Sequence, residues 1–555
     1  MQPPESRRLT GPSLYARVPG AAAELALAPG ESFDELHARW LAVLRPMLAR
    51  LGWARARCFA RPYADGTGGA LGFTADDDVL YAACDVNDWA LATAAGLPTT
   101  PETIAAAQLA AAITAERRPD VLALLDAAAT RGLPGFFDDD GVTIGLGVRG
   151  RTWPLDAVPQ VDAVPWSQLG RIPVVAITGT NGKTTSARLL ARMFREAGRS
   201  VGNTSTDGIV VDGVMIEEGD CTGPGAARRL LRHPTLEVAV LESARGGLLR
   251  RGFVLPWCDA ALLTNVSDDH LGEWGISTVD ELAEAKAVIG AIVPPHGHAI
   301  VGADSAPLVR VAERFVAKVV WFSLHADAPT VLTHLRSGGE AWYFHDGALV
   351  HAVGETRERW LAADAIAIGL HGAAGYNLAN AAGAAATAHA LGVPRDAIVG
   401  GLERFDRDGH DNPGRLERHE KDGVLYLLDF AHNKDGLRQQ RDVVAALRRD
   451  RGGRLAVSFG MAGDRSDEAL RALGHEIAAM QPNHVVLHDK PDYLRGRTPG
   501  EVPAILQQGL LEAGIAADAI EHAADERAAI ACARAWARAG DMVAVFAHTE
   551  RTAVV

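Results

Sequence analysis

Eight consecutive residues, Thr178-Gly179-Thr180-Asn181-Gly182-Lys183-Thr184-Thr185, have the types and spacing to hold phosphate. They close the apolar run IPVVAITG (172–179) and lead into the helical pattern SARLLARMFREAG. A strand, a glycine turn and Lys-Thr at a helix start aim backbone N–H groups and the helix N-terminus at an anion. The lysine adds a point charge, and the first threonine hydroxyl reaches Mg²⁺. The loop departs from the common GxxxxGK[ST] form, since Ile177 stands where the first glycine would be. Glu242 lies in a second apolar run, VAVLES (238–243). A carboxylate ending a strand beside a phosphate loop faces the crevice where α/β sheets bind ligands. It is a hard oxygen ligand of the kind Mg²⁺ prefers, although a helix-capping glutamate reads the same way. His270 follows Asp268-Asp269, Lys286 falls in a helical pattern, and Asp429 is near the end of VLYLLDF (424–430). A polar histidine, a solvated lysine and a turn residue are the plain alternatives for these three.

Positioning these residues requires a layered fold. From Arg171 onward, apolar runs such as AALLTNVS (260–267), HAIVG (298–302) and KVVWFSL (318–324) alternate with helical patterns. Short buried strands alternating with helices predict a parallel sheet covered on both faces. HGAAGYNLANAAGAAATAHALG (371–392) predicts an Ala-rich helix with a glycine stop. A second α/β run begins near Asn412 and includes LAVSFG (455–460), HVVLH (484–488) and MVAVFA (542–547). Residues 1–165 are Ala-rich, without a phosphate-loop or metal pattern. There, Thr100-Pro101-Glu102 predicts an N-cap followed by proline at the first helical position, and residues 119–131 predict a second helix. Pro154, Pro159 and Pro165 punctuate a linker.

Composition narrows the function classes. The 555 residues are 48% hydrophobic and 22% charged, which excludes a disordered or fibrous chain. A net charge of −14 disfavours non-specific binding to nucleic acid or to an anionic membrane, so an anionic ligand needs a local positive site. Five cysteines without a CxxC pair argue against a disulfide framework or a zinc site. No apolar stretch approaches the ~18 residues of a membrane span, and the first residues lack a secretory apolar region. The expected compartment is the cytoplasm.

The loop TGTNGKTT resembles the ATP loop of the Mur ligase superfamily, amide-forming ligases that include folylpolyglutamate synthetase. Further similarities follow in the family's order. Glu242 takes the place of a Mg²⁺-binding glutamate. NVSDDHLGEWGISTVDELAEAKAVI (265–289) resembles the Asn…Asp-His…Lys segment. That likeness implies His270 at a second metal and Lys286 at the position of an often carbamoylated lysine. YNLANAA (376–382) is similar to the HNxxNxxAA helix, with Tyr376 in place of histidine, and implies Asn380 at adenine. PGRLE (413–417) implies Arg415 at the nucleotide. DFAHNKDG (429–436) implies Asp429 at the ribose, with Lys434 replacing proline. FGMAGDRSDE (459–468) resembles the family's glycine-aspartate-arginine turn. The resemblance implies ATP and Mg²⁺ as cofactors. Gly179, Thr180, Asn181, Gly182, Lys183, Thr184, Thr185, Asn380, Arg415 and Asp429 would bind nucleotide. Thr184, Glu242, His270 and Lys286 would bind metal, and Lys183, Glu242, His270 and Lys286 form the expected catalytic set.

Longer stretches resemble the cyanophycin synthetase family. They are DGIVVDG (207–213), GDCTGPGAARRLLRHPTLEVAVLESARGGLLRRG (219–252) and DKPDYLRGRTPGE (489–501). RRLTGPSLYARV (7–18) and AAATRGLPGFFDDDGVTIGLGVRGR (127–151) are similar to that family's N-terminal segments. Between these parts the family carries an ATP-grasp domain. Here about 20 residues separate Arg151 from the strand before the phosphate loop, too few for a domain of ~100 residues or more. The implied fold is α/β in three domains. These are an α+β N-terminal domain over 1–165, a central P-loop ATPase domain with a parallel sheet over 166–409, and a Rossmann-like C-terminal domain over 410–555.

In that family the ATP-grasp module extends an Asp backbone and the Mur-like module joins Arg to the Asp side chain. The implied activity here is ATP-dependent isopeptide ligation of an amino acid, Arg or Lys, to a carboxylate such as an Asp or Glu side chain. It proceeds through an acyl phosphate and yields ADP and phosphate. The implied partners are that amino acid and a carboxylate-bearing peptide or polymer, with no nucleic acid or membrane; a homo-oligomer is left open. Two alternatives stand beside this: a non-catalytic nucleotide- or polymer-binding partner of a full-length relative, and a ligase for a small-molecule acceptor. Arg245, Arg250 and Arg251 either supply local positive charge or pair with surface acids. Residues 204–207 and 221–224 either shape an acceptor site or form plain turns. Asp489, Asp492 and Arg495 either select a cationic amino acid or form a solvated loop.

Overall fold

The computed structural model describes residues 5–269 and 271–546; His270, one of the expected catalytic residues, lies outside the described residues. Strands β1 (Ser6–Leu9), β2 (Gly20–Ala26), β3 (Cys58–Pro62) and β4 (Gly68–Thr74) form an antiparallel sheet in the order β1-β2-β4-β3. The helices Phe33–Arg50 and Leu80–Ala94 cover it and bury Trp40, Leu44, Met47 and Phe73. A small second sheet holds β5 (Gly135–Asp138), β6 (Gly141–Ile144) and β7 (Arg151–Trp153). The helix Glu102–Glu116 starts one residue later than expected: Pro101 is its N-cap, with an extended ψ of 142°. Thr100 caps nothing, and its carbonyl accepts the Trp89 indole N–H at 3.0 Å.

The largest sheet has eleven strands: β8 (Val174–Thr178), β9 (Val201–Thr204), β10 (Gly208–Val211), β11 (Val214–Glu218), β12 (Val238–Glu242), β13 (Ala260–Leu263), β14 (His298–Gly302), β15 (Lys318–Ser323), β16 (Glu340–His345), β17 (Ala348–Val353) and β18 (Thr356–Ala362). Their order is β11-β10-β9-β12-β8-β13-β14-β15-β16-β17-β18. The sheet is parallel from β9 through β16, as the buried runs predict, and antiparallel at both flanks. The flanks follow from turn chemistry. Asp212-Gly213 and Asp346-Gly347 join β10 to β11 and β16 to β17, with positive φ at all four residues. Asp-Gly in that conformation closes a tight hairpin, whereas a parallel neighbour needs a long crossover. Side chains alternate along β8: Val174 and Ala176 face one layer, Val175 and Ile177 the other. The helices Lys183–Glu196, Gly375–Ala390 and Arg395–Arg404 cover one face; Pro224–Leu231, Val279–Ala291 and Ala306–Ala312 cover the other.

A third α/β layer is built on β19 (Glu417–Lys421), β20 (Val424–Asp429), β21 (Leu455–Gly460), β22 (His484–His488), β23 (Ile520–Ala523) and β24 (Met542–Phe546). Their order is β19-β20-β24-β21-β22-β23, with only β19 antiparallel. The N-terminal region is tied to the central sheet by backbone bonds: Thr10 N–H to Arg251 O at 2.8 Å, Phe253 N–H to Pro12 O at 2.7 Å and Val148 N–H to Leu236 O at 2.9 Å. Among the described residues no helix is long and apolar enough to cross a membrane.

Candidate active site

The chain leaves β8 at Thr178 and turns through Gly179 and Gly182 before the helix begins at Lys183. Both glycines are required. Gly182 has φ +84°, and a Cβ there would fall 2.1 Å from Asn380 Oδ1. A Cβ on Gly179 would fall 1.8 Å from Thr264 Oγ1. The end of β13 staples the loop: Thr264 Oγ1 donates to Asn181 O at 2.7 Å, and Asn265 Oδ1 accepts Asn181 N–H at 3.0 Å. The N–H groups of the first helical turn have no partner within the helix and face the cleft.

Thr184 Oγ1 donates to Glu242 Oε2 at 2.8 Å, joining the helix start to the end of β12. Glu242 is 2% exposed, and its Oε1 is buried without a hydrogen-bond partner. Burial pushes its carboxyl upward, opposed by Lys183, Thr184 and Arg415. A buried carboxylate oxygen without a donor beside a threonine hydroxyl is the donor set expected for Mg²⁺, so these residues fit that ion. Lys183 Nζ folds back onto the carbonyls of Gly179 at 3.1 Å and Thr180 at 3.0 Å. Lys286 is buried and donates to the same Gly179 carbonyl at 2.7 Å. Burial drives its pKa well below lysine's usual value, and repulsion from Lys183 adds to this. A capping box fixes the start of its helix: Thr278 Oγ1 accepts Glu281 N–H at 3.2 Å, and Glu281 Oε2 accepts Thr278 N–H at 3.1 Å.

One cleft runs from this loop to the β20 end of the third layer. Thr180 to Thr185, Glu242, Asn380, Arg415 and Asp429 all line it, while Lys286 bonds the loop from outside that lining. Asp429 accepts the backbone N–H of Leu416 at 2.8 Å and of Ala431 at 2.9 Å. Burial raises its carboxyl, with Arg415 opposing. The Arg415 guanidinium lies 4.3 Å from the centre of the Phe430 ring and 3.4 Å from Thr206 Oγ1. Asn380 donates to Asn377 Oδ1 at 3.3 Å. Tyr376, the departure from the family helix, accepts a bond from Gln440 at 2.9 Å and so fills the same cleft.

The structure gives roles to Asn433, Asp269 and Arg465, to which the sequence motifs assigned none, and a second contact to Asn181. Asn181 and Asn433 exchange side-chain bonds at 3.0 and 3.3 Å across the cleft. Asp269 pairs with Arg465 at 2.9 Å, each side chain about one-tenth exposed. Asn433 also lies 3.4 Å from Asp269. All three motif segments were visible, and Asn433 carried one specific signal, an Asn three residues before Gly436 at a helix start. Of the three arginines after Glu242, Arg245 pairs with Glu273 and adds to the positive field at Lys286. Arg250 bonds the Gly246 carbonyl and Arg251 the Arg8 carbonyl. Thr204 Oγ1 accepts the Glu242 N–H at 3.1 Å, and Asp207 pairs with Arg188 at 2.7 Å. Asp489 accepts the Gly500 N–H at 2.7 Å, next to a buried Lys490–Glu526 pair at 2.9 Å.

Residues 177–388 match the Mur ligase middle domain, and residues 414–549 match the Mur ligase glutamate ligase domain. A cyanophycin synthetase from Geminocystis herdmanii is 38% identical over 64% of this chain and 40% of its own length. The chain therefore spans less than half the length of that relative. A UDP-N-acetylmuramoyl-L-alanyl-D-glutamate–2,6-diaminopimelate ligase from Corynebacterium efficiens is 30% identical over 75% of this chain and 78% of its own length. A solved structure of E. coli FolC with ADP is 19% identical, with TM-score 0.49, over 67% of this chain and 85% of that one.

Proposed function

The chain belongs to the Mur ligase family of ATP-dependent ligases, and from that premise we propose that it joins an amino acid, Arg or Lys, to a carboxylate such as an Asp or Glu side chain. The acceptor carboxylate takes the γ-phosphoryl group of ATP, ADP leaves, and the incoming amine displaces phosphate from the acyl phosphate. The observation that carries this reading is the buried Thr184–Glu242 pair, with its undonated carboxylate oxygen, at the N-terminus of the phosphate-loop helix. Thr184 and Glu242 would hold Mg²⁺, which when bound neutralises charge on the transferring phosphoryl group.

Two anions must meet in this reaction, so fixed positive charge is the main requirement. Lys183 and the first-turn N–H groups supply it at the loop. Asn380, Arg415 and Asp429 position the nucleoside from the other side of the cleft. Burial drives the Lys286 pKa well below lysine's usual value, and in its neutral form the amine would add to CO₂. The nitrogen adds to carbon, one proton leaves, and the resulting carbamate, with His270, would serve a second metal. The third layer, latched through Asn433 and Arg465, excludes water from the acyl phosphate. We assign residues 1–165, 166–409 and 410–555 to three domains and the reaction to the cytoplasm. Asp489, Asp492 and Arg495 are the proposed selectors of the basic amino acid.

A screen of acidic peptides against basic amino acids tests this, read by ADP and phosphate release and by product mass. The expected product is the acceptor plus one amino acid less one water, with turnover reduced at least about 100-fold in Lys183→Ala and Glu242→Gln. Unchanged turnover in both variants would overturn the site assignment. ADP binding without turnover on any acceptor would favour a non-catalytic binding partner instead.

A further inference from the structure

We propose that Glu340, His351 and His389 form a binding site for a zinc-class divalent transition metal, separate from the nucleotide cleft. Glu340 opens β16, His351 sits on the adjacent β17, and His389 is in the last turn of the helix Gly375–Ala390. His351 Nε2 lies 3.0 Å from Glu340 Oε1, and His389 Nδ1 lies 3.4 Å from the same oxygen. All three ligand atoms fall within 4.8 Å of one another. Tetrahedral coordination at ~2.0–2.1 Å places ligand atoms about 3.3–3.4 Å apart, so the His389–Glu340 edge at 3.4 Å already has the required length and the His351–Glu340 edge at 3.0 Å must lengthen slightly. Two imidazoles and a carboxylate are a recognised donor set for Zn²⁺ and its neighbours, and are poorly suited to Mg²⁺.

The surroundings are built rather than incidental. The His351 ring stacks on Trp342 at 4.6 Å, and Trp360 meets the His389 ring edge-on at 5.6 Å. Trp342 is fully buried, and its indole N–H donates to Glu340 Oε1 at 3.3 Å, an outer-shell bond that orients the carboxylate. The side chains are 11% exposed at His351, 26% at Glu340 and 36% at His389, leaving one side open for water or an exchanging ligand.

The site lies across the sheet from the phosphate loop. In register, Ile177 of β8 pairs with Leu262, Leu262 with Ile300, Ile300 with Val320, and Val320 with Glu340. Four strand spacings amount to about 19 Å. The helix Gly375–Ala390 spans that interval: Asn380 packs on Gly182, and His389, nine residues on, is about 13 Å further along the axis. Metal would clamp the far end of the helix that carries Asn380 into the cleft.

The test uses the full chain stripped by chelator, in excess Mg²⁺ and ADP, titrated with Co²⁺ and then Zn²⁺. The expected result is one Co²⁺ with the visible absorption of a low-coordinate ion, displaced by Zn²⁺, and bound at least tenfold more weakly in E340Q, H351Q and H389Q. ADP affinity should be retained, which also verifies that the variants fold. In the wild type, Zn²⁺ should protect His351 and His389 from histidine acylation read by mass spectrometry. No Co²⁺ band in the wild type, the same band in all three variants, or unprotected histidines would overturn the proposal and leave a hydrogen-bonded His–Glu network.

Discussion

Two buried lysine and glutamate side chains at the phosphate loop show why residue type alone was informative. Lys286 is 4% exposed and meets a carbonyl rather than a carboxylate, so folding must strip water from an ammonium or deprotonate it. Its pKa falls well below 10.5, so the unfolded chain binds more protons than the native one between those values. The resulting cost is fully present below the lowered pKa and vanishes as pH rises through 10.5. Lys286→Met should therefore be more stable than the parent at pH 7 in carbonate-free buffer, by roughly 2–4 °C in Tm for each kcal/mol relieved. The difference should shrink toward pH 10.5. Lys183 still donates to Gly179 O in that variant, so no carbonyl is orphaned. A gap independent of pH, measured by thermal scans, would point to packing rather than charge.

At the scale of elements, the loop-to-helix turn is set by close approach as much as by backbone conformation. Gly182 and Gly198 both have positive φ, yet only Gly182 has a side chain in the way of a Cβ. Both alanine variants should lose about 1–2 kcal/mol for the left-handed conformation. Only Gly182→Ala displaces Asn380, so only it should weaken ADP binding, by about tenfold or more. Calorimetric titration of the two variants separates the effects, and equal ADP affinities would refute the contact. The mixed character of the large sheet belongs to this scale too. Its parallel centre was legible in continuous apolar runs, and its antiparallel flanks were encoded in Asp212-Gly213 and Asp346-Gly347. The pattern Thr-Pro-Glu places the N-cap at Thr100, whereas the structure puts it one residue later at Pro101, because the pattern fits either register.

At the scale of the whole molecule, closure of the third layer rests on a few polar contacts between distant segments. Removing one partner of the Asp269–Arg465 pair leaves a carboxylate poorly compensated in a desolvated place. Arg465→Met should open the cleft, raising the radius of gyration in small-angle scattering and lowering turnover more than ADP affinity. An unchanged radius would show that the other contacts between the layers, Asn181–Asn433 and Gln440–Tyr376 among them, hold the closed state without it. The sequence by itself determined the α/β class, the phosphate loop and the chemistry-bearing segments, because buried strands and glycine turns are local patterns with fixed periods. Only the tertiary structure decided which segments meet. Asp269 and Arg465 are 196 residues apart, and Glu340, His351 and His389 come from two strands and a helix. Such contacts depend on strand order and helix placement across a sheet, and no local spacing in the chain records them.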